Sequence, residues 1–187
     1  MFIQTEATPN PATLKFLPGT TVLGRGTADL PDEAAAAKSP LGRRIFGVEG
    51  VAGVFLGADF VTVTKRPGVE WDHLKPGVLG AIMDHVQSGE PALDEGPQAP
   101  AHGEAAHAED EAIVEQIKEL LDTRVRPAVA QDGGDITFHG FDRGVVYLHM
   151  QGACAGCPSS TLTLKMGIEN LLRHYIPEVT EVRPVAA

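Results

Sequence analysis

The sequence lacks a long apolar run, a basic leader and a cluster of Lys and Arg. No hydrophobic stretch approaches the roughly 18–20 residues that span a membrane. The opening MFIQTEATPN has neither the basic nor the apolar region of a secretory signal, and Glu6 and the shortage of arginine are unlike a transit peptide. We therefore expect a cytoplasmic, bacterial-type protein, or a mitochondrial matrix protein if this is a processed mature chain. Neither a membrane nor a nucleic acid is an expected partner.

Cysteine is also scarce, since Cys154 and Cys157 are the only two in 187 residues. They form a Cys-x-x-Cys pair. In a reducing compartment such a pair is more often metal-binding or catalytic than a structural disulfide. The pair is therefore the first candidate for a functional site.

Positive charge is missing from the middle of the chain. Residues 91–112 carry six acidic side chains and no Lys or Arg. The parts of the chain before and after this stretch each have a net charge near −2. This stretch is also poor in large apolar residues, so it cannot bury enough surface to offset the cost of ordering. We predict two small domains, residues 1–89 and 111–187, joined by a flexible acidic linker over 90–110. His102 and His107 in the linker have no third metal ligand organised near them.

The first domain is predicted to be α+β. Residues 12–16 alternate as a half-buried strand does, and residues 51–65 favour two strands around a turn at 57–59. Ser39 and Pro40 are typical of a helix start. Residues 71–88 predict a closing helix that ends at Gly89. The domain has no cysteine and no recognisable catalytic constellation.

The second domain is predicted to fold in the order α-β-β-α-β. An apolar helical stripe over 113–121 leads to Pro127, where we expect a kink or an end of the helix. The glycines of DGGD, residues 132–135, stop the helix and turn the chain, and a hairpin follows across residues 142–144. A helix from about Ser160 and a final strand complete a mixed three-stranded sheet, whose last strand is parallel to its neighbour.

The cysteine loop is predicted to leave a strand and enter the amino end of a helix. Free amides and the helix dipole at such an end favour negative charge, so we expect lowered thiol pKa values. Gly152 and Gly156 allow backbone amides to come close. Pro158 restricts Cys157 to extended geometry.

Three site chemistries remain open on the residues alone. A zinc site needs four ligands, and His139, His149 and His174 are poorly placed to complete it. A dithiol oxidoreductase needs only the two cysteines, but its usual setting is a thioredoxin-like βαβ unit. The third chemistry is an iron–sulfur cluster whose thiolates come from two chains. A single Cys-x-x-Cys motif is compatible with all three chemistries and does not distinguish between them.

A resemblance to a known family favours the third chemistry. Residues from about 126 to 182, with DGGD and GACAGCPSST, resemble the C-terminal domain of the NifU-like (Nfu) iron–sulfur carriers. Residues from about 2 to 90, with TPNPATLKF and SPLGRRIFGVEGVAGVFLGADFVTVTK, resemble the N-terminal domain of the two-domain members. The resemblance implies a non-enzymatic carrier with Cys154 and Cys157 as ligands and a [4Fe–4S] cluster bridging two subunits. It also implies upstream cluster-assembly proteins and apo iron–sulfur clients as partners, and a cluster-dependent homodimer.

Overall fold

The computed structural model describes residues 2–95, 108–155 and 158–185, and the chain divides into two compact units, residues 1–99 and 100–187. Both units combine helices with a sheet, as the sequence predicts. Within the described residues no helix is long and apolar enough to cross a membrane.

The first unit is built on one antiparallel sheet. Its strands are β1 (Gln4–Ala7), β2 (Thr13–Leu17), β3 (Ala28–Leu30), β4 (Val51–Leu56) and β5 (Val61–Lys65), in the order β1-β2-β5-β4-β3. The predicted strand at 12–16 and the two strands within 51–65 are confirmed. The short edge strands β1 and β3 were not predicted, because three or four residues carry too little periodicity.

Three helices accompany this sheet: α1 (Glu33–Ala36), α2 (Pro40–Phe46) and α3 (Trp71–Ser88). The predicted cap of α2 is confirmed, since the Ser39 hydroxyl accepts a hydrogen bond of 2.8 Å from the amide of Gly42. Gly89 ends α3 with a φ of 70°, as its predicted position requires. The core lies where strand and helix residues meet, and it includes Phe16, Leu30, Ile45, Val61, Val63, Leu74 and Ile82.

The predicted linker differs from the structure at its beginning. Residues 90–95 pack on the first unit, with Ala92 and Leu93 each only 7% exposed. Asp94 donates its amide to the carbonyl of Lys38 at 2.8 Å, and Glu90 accepts a hydrogen bond of 2.7 Å from Arg44. These contacts hold residues 90–95 against the rest of the first unit, although their composition predicted a flexible segment. Residues 96–107, with His102 and His107, lie outside the described residues.

The described part of the second unit begins with one long, interrupted helix. A 3₁₀ turn (Ala108–Asp110) leads into α4 (Glu111–Leu120), a π-helical turn (Leu121–Val125) and α5 (Arg126–Gln131). The expected disturbance near Pro127 therefore takes the form of a π turn, and the helical path continues to Gln131. Proline has no amide hydrogen, so its tolerated place is the start of the new helical segment.

The strands of the second unit are β6 (Gly134–Asp142), β7 (Val145–Gly152) and β8 (Glu181–Val185), and α6 (Pro158–Tyr175) connects β7 to β8. The sheet order is β6-β7-β8, antiparallel between the first two and parallel between the last two, which confirms the predicted mixed sheet. Helix α6 begins two residues before the predicted Ser160. The core contains Ile117, Leu121, Ile136, Phe138, Val146, Leu148, Leu172 and Val182.

Candidate metal centre at the cysteine loop

Cys154 lies in the short connection between β7 and α6, as the sequence predicts. Its amide donates to the carbonyl of Gln151 at 3.3 Å, and the preceding amide of Ala153 donates to the carbonyl of Gly133 at 3.2 Å. The hydroxyl of Thr161, in the first turn of α6, donates to the carbonyl of Cys154 at 3.2 Å. Strand, helix and the DGGD turn thus all hold this loop. Cys157 lies outside the described residues.

Gly134 leaves the space into which the Cys154 thiol packs. A Cβ atom at this position would lie 2.4 Å from Sγ of Cys154 and 2.9 Å from the carbonyl oxygen of Gln151. Sequence reasoning assigned the glycines of DGGD only to stopping the helix and turning the chain. The turn is real, since Gly133 has a φ of 81°, but Gly134 has the further role of making room for a cysteine. No local pattern indicates that role, because the two residues are twenty positions apart.

A buried ion pair supports the DGGD turn. Asp135, with its side chain 3% exposed, accepts hydrogen bonds of 2.8 and 2.9 Å from Nε and Nη2 of Arg126. The same carboxylate accepts a hydrogen bond of 2.8 Å from the amide of Ile136. The paired, parallel contacts fix the start of α5 against the start of β6. The sequence analysis did not predict this pair. The signal available in the sequence was the carboxylate of Asp135 at the start of an apolar strand.

The expected lowering of the thiol pKa is wrong for Cys154. Burial, followed by the charges of Asp132 and Asp135, raises the pKa of Cys154 to about 12. The side chain is only 6% exposed and belongs to the core of the second unit, so desolvation of a thiolate outweighs the attraction of the helix end. The thiol is therefore neutral in this state, and it must lose its proton when it binds a metal.

The histidines weighed as ligands are not gathered into a metal site. His139 is exposed on β6, His149 lies on β7, and His174 is exposed on the last turn of α6, with its ring edge-on to Tyr175 at 5.0 Å. Among the residues the structure describes, no group of three or more His, Cys, Asp or Glu side chains is placed to hold a metal ion.

The first unit has a cavity of about 420 Å³ beside the end of α3. Its lining includes Leu41, Ile82, His85 and Glu90. His85 is 6% exposed, and within the described part of the chain its Nδ1 atom has no hydrogen-bond partner. Burial, together with the charge of Arg44, lowers the pKa of His85, while Glu90 raises it. Thr20 and Thr21 also line the cavity.

The fold and the site define a class of protein: two small α+β units, the second carrying a cysteine loop at the amino end of a helix. The comparisons give the family. Residues 3–89 match the model described as "Scaffold protein Nfu/NifU N terminal", and residues 117–183 match the "NifU-like domain". The chain belongs to the Nfu/NifU family and has its two-domain arrangement.

Named relatives extend over nearly the whole chain. It is 53% identical over 186 residues to the human "NFU1 iron-sulfur cluster scaffold homolog, mitochondrial", covering 99% of this chain and 72% of that protein. It is 54% identical to the protein of the same name from Drosophila sechellia, again over 99% of this chain but 65% of the relative. The chain thus spans about two thirds of the length of these relatives. Their names carry the word mitochondrial, so they do not support the cytoplasmic expectation.

A solved structure is also similar. The solution NMR structure of a NifU-like protein from Saccharomyces cerevisiae matches with a TM-score of 0.46 and 29% identity, covering 51% of this chain and 86% of that one.

Proposed function

We propose that this protein is an iron–sulfur cluster scaffold and carrier, not an enzyme. Its substrate is a [4Fe–4S] cluster, bound by Cys154 and Cys157 of two copies and passed to apo-proteins. The observation that carries the proposal is the position of Cys154, one of the chain's only two cysteines, in a loop held by β7, α6 and the DGGD turn. Membership of a family whose relatives are named iron–sulfur cluster scaffolds supports it.

The donor type fits this substrate. Thiolates are the usual ligands of iron–sulfur clusters, and four are usually needed. One chain supplies two, and the described residues place no third ligand beside Cys154. A second copy completes the set with the same loop, as in the two-fold arrangement common among homodimers.

Transfer follows from the shared ligand set. When the two copies separate, the intact cluster stays with one copy and loses the two thiolates of the other, so two of its irons are open to thiolates of a client. Each iron–cysteine bond to the carrier is replaced by one to the client. The client thiols lose protons, the carrier cysteines regain them, and iron and sulfide keep their oxidation states. Upstream assembly proteins supply the cluster by the same exchange.

The ligand assignment is tested by changing each cysteine to serine. Cys154→Ser and Cys157→Ser should each abolish a stable cluster after anaerobic reconstitution, while circular dichroism of the apo-protein stays unchanged. Iron content and visible absorption measure the loss. Full iron retention by either variant would contradict the assignment.

The shared cluster is tested by native mass spectrometry without added low-molecular-weight thiol. We expect one [4Fe–4S] unit per two chains and a return towards monomer when iron is chelated. A loaded monomer as the main species, or a dimer with two clusters, would overturn the bridging arrangement. A colourless protein that reduces disulfides would instead establish the alternative, a dithiol oxidoreductase using Cys154 and Cys157.

The first unit is proposed to dock client proteins. It has its own core but contributes no cysteine, so client recognition is the task left to it. Residues 108–187 alone should still assemble a cluster but transfer it more slowly to some clients. Unchanged transfer rates to every client tested would leave the first unit with a stabilising role only.

A further inference from the structure

The outer face of α6 carries no charge over its first turns. Among residues 161–170, which are all described, the exposed positions are Leu162, Thr163, Met166, Gly167 and Asn170. We refer to these five residues as the α6 outer face. Leu162 and Met166 are each 56% exposed, and their spacing of four residues places one above the other on the helix. Residues 113–187 carry 7 basic and 9 acidic side chains, so an uncharged surface with two exposed large apolar residues is distinctive in this unit.

The charged residues of this stretch point towards β8 instead. Lys165 lies 3.9 Å from Glu181, and the carboxylate of Glu169 accepts a hydrogen bond of 3.2 Å from the amide of Val182. Ile168 and Leu172 hold the opposite side of the helix in the core. The outer face is therefore the side of α6 that this unit's core does not use.

The α6 outer face is also continuous with the cysteine loop. Thr161 ties the first turn of α6 to Cys154, and Leu162 is the next residue. Any molecule that brings thiolates to the same cluster must come close to this part of the helix. Gly167 has open space at the position of a Cβ, so another backbone can approach closely there.

We infer that the α6 outer face packs against the same face of a second copy of this chain when the two share a cluster. The inference rests on the proposed function, because the incomplete ligand set is what calls for the second copy. Two identical charged faces would place like charges opposite one another across a two-fold axis, whereas two uncharged faces meet without that repulsion. Two apolar side chains per copy make a small contact, so this dimer depends on the cluster for most of its stability.

Charge placed on this face tests the inference. Met166→Glu and Met166→Lys are both made in the full-length protein, with Gln116→Glu, exposed on α4, as the matched control. Each loaded Met166 variant should have a dimer dissociation constant raised at least about tenfold, because like charges then meet across the two-fold axis. Mixing the two variants, with one of them uniformly labelled with ¹⁵N, should restore dimers made of one copy of each, which native mass spectrometry identifies by their intermediate mass. Thermal unfolding of both apo variants should match the wild type, since Met166 is exposed.

The outcomes separate the inference from the proposed function. Variants that dimerise as the wild type does, or a mixture that forms no mixed dimers, would overturn the interface but leave the carrier intact. Normal dimers with slower transfer to an apo-ferredoxin would assign the α6 outer face to client proteins. A wild-type protein that takes up its cluster as a monomer would refute the second copy as the partner. A wild type that takes up no cluster would remove the proposed function as well.

Discussion

Gly134 and Cys154 share one space: the Cβ atom that any other residue would place at position 134 lies 2.4 Å from the cysteine sulfur. That distance is well inside van der Waals contact. The carbonyl oxygen of Gln151, at 2.9 Å from the same position, belongs to the backbone and cannot simply rotate away. The cysteine loop is therefore seated against a strand that tolerates only glycine at this point.

Gly134→Ala should displace Cys154 and weaken cluster binding. The added methyl group forces the loop outwards, and overpacking of this kind typically costs about 1–3 kcal/mol. The matched control is Gly140→Ala on the same strand, where the nearest atom to a Cβ is Cδ2 of Tyr147 at 4.0 Å. Iron retained per chain and apo-protein unfolding measure the two effects. Equal iron retention by both variants would contradict the role of Gly134.

Arg126→Gln should destabilise the second unit strongly. It leaves the carboxylate of Asp135 buried without its guanidinium partner, and breaking a buried pair from one side costs about 3–5 kcal/mol. Arg173→Gln is the control, because the Arg173 side chain is 56% exposed and its pair with Glu169, at 3.7 Å, should be worth at most about 1 kcal/mol. Denaturant unfolding of the two apo variants gives the comparison. Similar losses in both would mean that the Arg126 pair contributes no more than a surface contact.

Cys154 should be a slow nucleophile in the apo-protein. Its pKa, raised to about 12, leaves little thiolate at pH 8, and greater intrinsic nucleophilicity offsets only part of that loss. In Cys157→Ser, alkylation by iodoacetamide should be at least about tenfold slower than that of free cysteine. The rate should keep rising above pH 9 without a plateau. A plateau near or below pH 8.5 would show that the thiol is not buried as described.

The same pKa shift has a consequence for stability. A thiol whose folded pKa is raised contributes stability that is fully present below the unfolded value, near 9.0, and that falls as the pH rises above it. The free energy of unfolding of Cys157→Ser should therefore fall more steeply between pH 9 and 11 than that of the double variant Cys154→Ser/Cys157→Ser. Parallel unfolding profiles for the two proteins would contradict the shift.

His85 should make the first unit sensitive to mild acid. Burial lowers its pKa below 6.5, so its contribution to stability is present above pH 6.5 and is lost as the pH falls below that value. The loss from this group is limited to about 1.4 kcal/mol per pH unit. An NMR titration of His85 should give a midpoint below 6.5, and His85→Gln should flatten the stability profile between pH 6.5 and 5. A midpoint above 6.5 would mean that the pKa of His85 is raised in the folded state, and it would contradict the prediction.

Local patterns were sufficient where a feature depends on neighbouring residues. The cap at Ser39, the helix end at Gly89 and the hairpin turn at residues 143–144 all follow from the backbone preferences of single residues. The alternation and spacing of apolar residues likewise predicted the α-β-β-α-β order. The extent of the linker was not predictable in this way, because Ala92 and Asp94 are held by hydrogen bonds with Ser39 and Lys38, about fifty positions earlier.

The sequence by itself determined that the chain has two α+β units and that a single Cys-x-x-Cys loop enters a helix. Tertiary structure alone decided the environment of Cys154. Its raised pKa and the space left by Gly134 arise where the start of β6 meets the end of β7, and the Arg126–Asp135 pair arises where the start of α5 meets the start of β6. Hydrophobic periodicity and helix capping depend on residues only a few positions apart, and can therefore be predicted from short stretches of sequence. Desolvation and charge act through space, so they appear only when distant segments are brought together.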